Sequence, residues 1–353
     1  MTIFLFMIGL SFLIFGADIL IRGSSRLAFS FGITPLVIGL TVVSFGTSAP
    51  ELAVSAQAAM ANQANLSVGN VVGSNIFNIL FVLGVSALIA PLIVSPNLIS
   101  RDVPIMIGVS IVAYLFMLNQ FFSLFEGVIL FSTLIAYLWY LVYQSRKDKI
   151  IVEEGSLYEK GSGSKLGLIK NIGFIILGLS LLVLGSQLLV DSAVKFAKYL
   201  GVSELVIGIT IVAIGTSLPE VVTSVVATIR GERDIAVGNV IGSNIFNMLG
   251  VFGVAGIFSP NGIVILPSLI NFDFPFMIFV AIICLPIFIS GGIISRWEGF
   301  LLFSIYVVYT MHIILVVSNS SLLPLFNSAI FYLLVPMVIL TIISFYFKNR
   351  LIK

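Results

Sequence analysis

Charge is what this 353-residue chain has least of: Asp, Glu, Lys and Arg together make up 9% of it, where a soluble domain carries about a quarter. Hydrophobic residues make up 59%, and the mean hydropathy is +1.20. No stretch is polar enough to form a separate soluble domain. Cysteine is represented once, by Cys284, which rules out an intramolecular disulfide and reads as a buried structural thiol. Histidine is also single, His312, with no carboxylate partner visible in sequence, and reads as an interfacial residue. No nucleophile–base pair and no cofactor motif is visible, which argues against an enzyme. A pI of 8.6 does not point to nucleic acid, because the basic residues have another use.

What the chain has in abundance is apolar runs of roughly 20 residues, each long enough to cross a bilayer core of about 30 Å. They predict an all-α polytopic membrane protein with eleven spans, near 2–21, 35–59, 67–90, 103–119, 123–143, 168–189, 204–229, 236–258, 272–290, 297–316 and 325–346. Segment 2–21 lacks a basic leader and an A-x-A-like cleavage site, and is expected to be the first span. The polar stretch 144–166, ending in the Gly/Ser run Gly161–Ser164, reads as a flexible linker. Threading eleven spans with the N-terminus outside leaves all but Lys195 and Lys198 of the 17 Lys and Arg on the cytoplasmic side. This is the positive-inside pattern of a cell-membrane protein with a cytoplasmic C-terminus.

The chain contains itself twice. The run Gly39–Glu51 (GLTVVSFGTSAPE) returns as Gly208–Glu220 (GITIVAIGTSLPE), and Val68–Asn78 (VGNVVGSNIFN) as Val237–Asn247 (VGNVIGSNIFN), at a constant offset of 169. Fainter echoes pair Asp102-Val-Pro104 with Asp273-Phe-Pro275, and Glu126-Gly127 with Glu298-Gly299. Each copy holds five spans. An odd number turns the second copy over, so the halves are expected to be inverted repeats, as in many secondary transporters. The predicted divisions are 1–143 for the first repeat, 144–166 for a cytoplasmic linker, 167–316 for the second repeat, and 317–353 for an extra transmembrane helix and tail.

Glu51 and Glu220 each sit near the middle of an apolar span, one residue after a proline. A carboxylate at the bilayer centre costs about 2.5–3.5 kcal/mol on insertion scales, and a mid-helix proline about 3 kcal/mol. No Lys or Arg lies in the central part of any span to pair with the glutamates. A transported cation is the simplest missing charge. Pro50 and Pro219 have no N–H, so the carbonyls of Gly46, Thr47, Gly215 and Thr216 are expected to be freed toward it. Together with the hydroxyls of the motif's threonines and serines (Ser48 and Ser217) and the amides of Asn78 and Asn247, the donor set is all oxygen. That suits hard cations such as Ca2+ and suits zinc or copper poorly. Two glutamates balance one divalent or two monovalent ions. Gly69, Gly73, Gly238 and Gly242 predict close helix packing that carries the asparagines toward the glutamates.

The doubled GTSxPE and GNxxGSNxFN signatures resemble the two α-repeats of the cation/Ca2+ exchanger superfamily, in its prokaryotic Na+/Ca2+ exchanger branch. The resemblance covers about the first 316 residues, and it is specific because both motifs occur twice in register. It implies Na+/Ca2+ antiport by alternating access, with Na+ and Ca2+ as substrates and no cofactor. It implies a ten-helix core whose second, third, seventh and eighth helices surround the ions, with the first and sixth sliding as a gate. By position it implies Ca2+ ligands at Glu51, Glu220 and the carbonyls of Thr47 and Thr216. Its Na+ sites add Ser44, Ser74, Ala213 and Ser243, with Asn78 and Asn247 near the centre. The K+-dependent branch carries an aspartate where Asn247 stands, so K+-independent, electrogenic exchange is expected. Stretch 144–166 is too short for the Ca2+-sensing insertion of long eukaryotic members, and span 325–346 departs from the ten-helix core. No protein partner is evident.

Two rival functions share these features. H+/Ca2+ exchange would use the same glutamates, and a passive cation channel would be indifferent to Na+. Elsewhere, Asp18 is expected to pair with Arg22 four residues on, and Glu126 and Glu298 to favour helix starts. The 30 Phe are expected to be lipid-facing bulk.

Overall fold

The computed structural model describes residues 2–61, 63–147, 165–199, 213–259, 262–326 and 328. Twelve helical segments carry the site: α1 (Thr2–Phe31), α2 (Pro35–Thr47), α3 (Ala49–Met60), α4 (Leu66–Ile89), α5 (Leu98–Met117), α6 (Leu124–Lys147), α7 (Lys165–Tyr199), α8 (Ala213–Thr216), α9 (Leu218–Ile229), α10 (Arg233–Ile257), α11 (Leu269–Ile289) and α12 (Arg296–Val317). Among the described residues, eight helices are long and apolar enough to cross a membrane, and α2 with α3 makes a ninth, bent span. Of the predicted span 204–229, the described part is α8 and α9. The eleventh predicted span, 325–346, falls almost wholly outside the described residues.

Helix continues further than the apolar runs suggest. α1 and α7 are 30 and 35 residues long rather than the 20 or so expected. α6 runs on to Lys147 and α7 begins at Lys165, so the predicted linker 144–166 is helical at both ends; residues 148–164 lie outside the described residues.

α1 and α7 pack against each other in opposite directions. A Cβ at Gly9 would lie 2.8 Å from Gly185 O, at Gly16 2.9 Å from Gly178 O, and at Gly23 3.1 Å from Asn171 O. Positions on α7 fall by seven as those on α1 rise by seven, so the contact is antiparallel and close enough to exclude any side chain. The opening helices of the two repeats therefore point opposite ways, which is the inversion in physical form. Sequence reading missed this ridge, although its seven-residue glycine spacing was visible.

Two short strand pairs repeat the relation. Leu92–Ile93 (β1) pairs with Ile293–Ile294 (β4), and Phe121–Phe122 (β2) pairs with Ile263–Val264 (β3), both antiparallel. β1 and β3 follow the equivalent helices α4 and α10, while β2 and β4 precede the equivalent helices α6 and α12. Each pair ties one repeat to the other. These four strands are the departure from a purely helical fold.

α4 and α10 are the central helices, with 72% and 89% of their most apolar windows buried, against 28% for α1 and α7. The main apolar core surrounds them, and a separate smaller cluster, including Leu13, Leu20, Ile175 and Leu182, joins α1 to α7. The phenylalanines divide between two roles: Phe4, Phe15 and Phe125 face outward as expected, but Phe122, Phe252, Phe274 and Phe288 are fully buried. Phe252 stacks on Phe274 with ring centroids 5.9 Å apart, so part of the aromatic excess fills the core. Cys284 is buried and free.

Gly238 and Gly242 do bring helices together. A Cβ at Gly242 would lie 2.7 Å from Leu40 Cα, and one at Gly238 would lie 3.0 Å from Leu36 O, so α10 rides directly on α2. Gly69 and Gly73 make no equivalent described contact; residues 205 and 209, which correspond to Leu36 and Leu40, lie outside the described residues. Asp18 pairs with Arg22 at 3.0 Å and is joined by Arg230 from the end of α9. Glu126 and Glu298 accept the backbone N–H of Ser123 and Ser295 at 2.6 and 2.7 Å, capping α6 and α12. His312 stands on α12 with its ring 4.8 Å from that of Phe272.

Candidate cation site

The signature motif breaks its helix at the serine. α2 ends at Thr47, Ser48 leaves the helical range with ψ 7°, and α3 departs at 47°. Ser217 repeats the break between α8 and α9 with ψ 8°. Pro50 and Pro219 therefore occupy the first turn of a new helix, where the missing N–H has no intrahelical partner to lose. The mid-helix penalty expected from sequence does not arise. Glu51 and Glu220 fall in that same first turn, where the helix dipole favours negative charge.

Carbonyls at the ends of α2 and α8 lack intrahelical partners, but not all of them are open to an ion. Gly215 O, left without a helical partner by Pro219, accepts from Ser186 Oγ of α7 at 2.6 Å, and this bond ties α7 to the broken helix.

Both carboxylates are fully buried, and each is held by the other repeat. Ser217 Oγ donates to Glu51 Oε1 at 2.7 Å, and Ser48 Oγ donates to Glu220 Oε1 at 3.0 Å. The remaining oxygens, Glu51 Oε2 and Glu220 Oε2, have no hydrogen-bond partner. Among the described residues, Glu51 and Glu220 have no basic partner either.

The asparagines extend the pattern. Asn75 Nδ2 donates to Asn244 O at 3.3 Å, and Asn244 Nδ2 to Asn75 O at 3.4 Å, linking α4 and α10 across the two-fold. With their amide nitrogens engaged, their Oδ1 atoms accept from Asn247 Nδ2 at 3.1 Å and Asn78 Nδ2 at 3.2 Å. This network fixes the amide orientations and leaves Asn78 Oδ1 and Asn247 Oδ1 buried without partners. Both residues open a π-helical turn, Asn78–Val82 and Asn247–Val251, a feature common at functional positions. Four buried side-chain oxygens thus stand unsatisfied, each at a cost of about 1–3 kcal/mol or more.

The other predicted residues fall around this centre. Ser74 Oγ lies 3.2 Å from Ser217 Oγ, whose single proton goes to Glu51, and Ser243 Oγ is buried without a partner. Thr47 and Ser243 lie against Glu220, and Thr216 against Glu51. Ser44 Oγ donates to Thr41 O at 3.2 Å within its own helix. Ala213 opens α8. Asn70, Asn75, Asn239 and Asn244 were not singled out from sequence, although each recurs in the doubled motif.

The profile of the sodium/calcium exchanger protein family matches residues 1–143 and 170–315, one segment per repeat. The sodium/calcium exchanger MaX1 of Methanosarcina acetivorans is 32% identical over 336 residues, covering 86% of this chain and 95% of its own. The inner membrane protein YrbG of Escherichia coli is 37% identical over 287 residues, covering 79% of this chain and 86% of its own. The structure of the sodium-calcium exchanger NCX_Mj soaked with 10 mM Na+ and zero Ca2+ superposes with a TM-score of 0.75 at 33% identity, covering 87% of this chain and 97% of that one. The chain belongs to the sodium/calcium exchanger protein family, and is a polytopic membrane protein with the fold of a cation/Ca2+ antiporter.

Proposed function

We propose that the chain exchanges Na+ for Ca2+ at the Glu51/Glu220 site, by alternating access, without K+ and with net movement of charge. The observation that carries the proposal is the set of four unpartnered buried oxygens, Glu51 Oε2, Glu220 Oε2, Asn78 Oδ1 and Asn247 Oδ1. They match the all-oxygen preference of Ca2+, and the two negative charges are balanced by one Ca2+ or two Na+. One kind of ion then displaces the other, which is the condition for antiport. The Ser74 and Ser243 hydroxyls add neutral oxygens beside the carboxylates, suited to a further Na+, so the Na+-loaded form carries surplus positive charge. Proton coupling would need only the carboxylates and would leave these hydroxyls without a role.

Independence from K+ follows from the amide of Asn247. A third carboxylate there would supply charge for a K+ beside Ca2+; the amide supplies none, and its Nδ2 is committed to Asn75 Oδ1. The surplus of basic residues on one side supports an outside N-terminus and a cytoplasmic C-terminus.

The test is 45Ca2+ uptake into proteoliposomes under an imposed Na+ gradient, a pH gradient, or neither, with K+ replaced by choline on both sides. Uptake driven by the Na+ gradient alone is the expected result. Uptake driven by the pH gradient, or uptake that collapses without K+, would refute the coupling proposed.

A further inference from the structure

The glutamates explain only part of the doubled motif. Asn70 and Asn239, the first asparagines of GNxxGSNxFN, take no part in the four-oxygen set and lie 169 residues apart on α4 and α10. Each makes the same two contacts. Asn239 Nδ2 donates to Ser224 Oγ of α9 at 3.0 Å, and Asn239 Oδ1 accepts from Thr47 Oγ1 of α2 at 3.1 Å. Asn70 Nδ2 donates to Ser55 Oγ of α3 at 2.9 Å, and Asn70 Oδ1 accepts from Thr216 Oγ1 of α8 at 3.4 Å. Asn70 Nδ2 also reaches Glu51 O at 3.3 Å. The two Ser–Asn–Thr relays are equivalent under the two-fold, and each joins the threonine of one repeat to the asparagine and serine of the other.

We propose that Asn70 and Asn239 are positioning residues, each accepting the hydroxyl hydrogen bond of the opposite repeat's threonine so that the threonine presents only lone pairs to the ion site. Acceptor-only carbonyls fix the amides: Ser224 gives its own proton to Ala236 O at 3.4 Å, so its Oγ accepts from Asn239 Nδ2 and leaves Oδ1 to Thr47, and Asn70 Nδ2 is held the same way by Glu51 O. A hydroxyl has one proton, and Thr47 lies against Glu220 as well. Were Asn239 apolar, that proton would be shared between Ser44 O, 3.4 Å away in the same helix, and the Glu220 carboxylate, where it competes with the cation. The relay also holds the threonine at the last turn before the helix break, where its own carbonyl is free of an intrahelical partner. Ion affinity therefore depends on residues that touch no ion. Because each relay crosses between repeats, it also ties the broken helix of one half to the central helix of the other.

This inference rests on Glu51 and Glu220 as the ion site, and its test separates the two. Ca2+ affinity is measured by titration calorimetry on the purified full-length protein in Na+-free buffer. The proteins compared are wild type, Glu220→Gln, Asn239→Leu, Thr47→Val and the double variant Asn239→Leu/Thr47→Val. Wild type without Ca2+ binding, or Glu220→Gln with undiminished binding, would overturn the site itself. With those controls in place, Asn239→Leu is expected to weaken binding at least tenfold at unchanged stoichiometry. The double variant is expected to be no weaker than Asn239→Leu alone by more than twofold, because the asparagine acts through the threonine. Additive losses, or an Asn239→Leu affinity equal to wild type, would refute the relay while leaving the site standing. Should Asn239→Leu fail to give a monodisperse protein, Ser224→Ala takes its place in the same cycle with Thr47→Val. A smaller loss that vanishes in the Thr47→Val background supports the relay, and a loss that persists there refutes it.

Discussion

Each glutamate of the site rests one oxygen on a serine of the opposite repeat and leaves the other bare. The 2.7 Å bond from Ser217 and the 3.0 Å bond from Ser48 thus aim the carboxylates as well as solvating them. A hydrogen bond to a charged group is worth about 1.5–3 kcal/mol, so Ser217→Ala and Ser48→Ala should each weaken Ca2+ binding by roughly tenfold or more. Titration calorimetry on either variant checks this, and an unchanged dissociation constant would show that the serines do not orient the carboxylates. At this scale the sequence was most informative about charge. Two glutamates without basic partners, repeated in register, are visible in the string of letters. Hydrogen-bond partners between helices are not: that Gly215 O accepts from Ser186 depends on α7 lying beside the broken helix.

The most extensive helix–helix contact among the described residues is the ridge between α1 and α7. Backbone meets backbone at Gly9, Gly16, Gly178 and Gly185, and a Cβ at Gly178 would lie 2.7 Å from Leu20 N. Added side-chain volume in such a contact forces the helices apart, at a typical cost of 1–3 kcal/mol. Gly178→Val should accordingly lower the thermal midpoint and slow exchange, while Gly173→Ala, where no described atom lies within 4 Å, should do neither. A Gly178→Val protein with normal stability and normal flux would show that the close approach is dispensable. The two breaks, at Ser48 and Ser217, were read from sequence as proline defects inside a helix. They are better described as the end of one helix and the start of another, with each proline and glutamate in the first turn. Apolar periodicity located most helix centres, but it could not show where α1, α6 and α7 stop, because those ends project past the apolar runs and are set by packing and capping.

For the whole molecule, inversion of the two halves is the arrangement that the alternating access proposed above requires. The antiparallel α1–α7 contact, the exchanged strand pairs and the reciprocal serine–glutamate bonds all express the same two-fold. Sequence revealed that symmetry through a constant offset between the doubled motifs and an odd number of spans in each copy. The contacts between repeats had to come from the structure, since no local pattern encodes a partner some 169 residues away. If one Ca2+ exchanges for two Na+ on the glutamates and a further Na+ on neutral oxygens, each cycle moves charge. An inside-negative potential should then favour Na+ entry and Ca2+ extrusion, and clamping the potential with an ionophore should change the rate. Rates indifferent to potential at every Na+ concentration would remove the additional Na+ from the cycle.

The claim on which the account depends is that Glu51 and Glu220 together hold the transported ions. Na+-gradient-driven 45Ca2+ uptake by wild type, Glu51→Gln and Glu220→Gln, reconstituted at equal density, tests it most directly. Glutamine keeps the size of the side chain and removes half of the site's negative charge, so both variants should insert normally and lose nearly all exchange. Uptake near the wild-type rate by either variant would contradict the account.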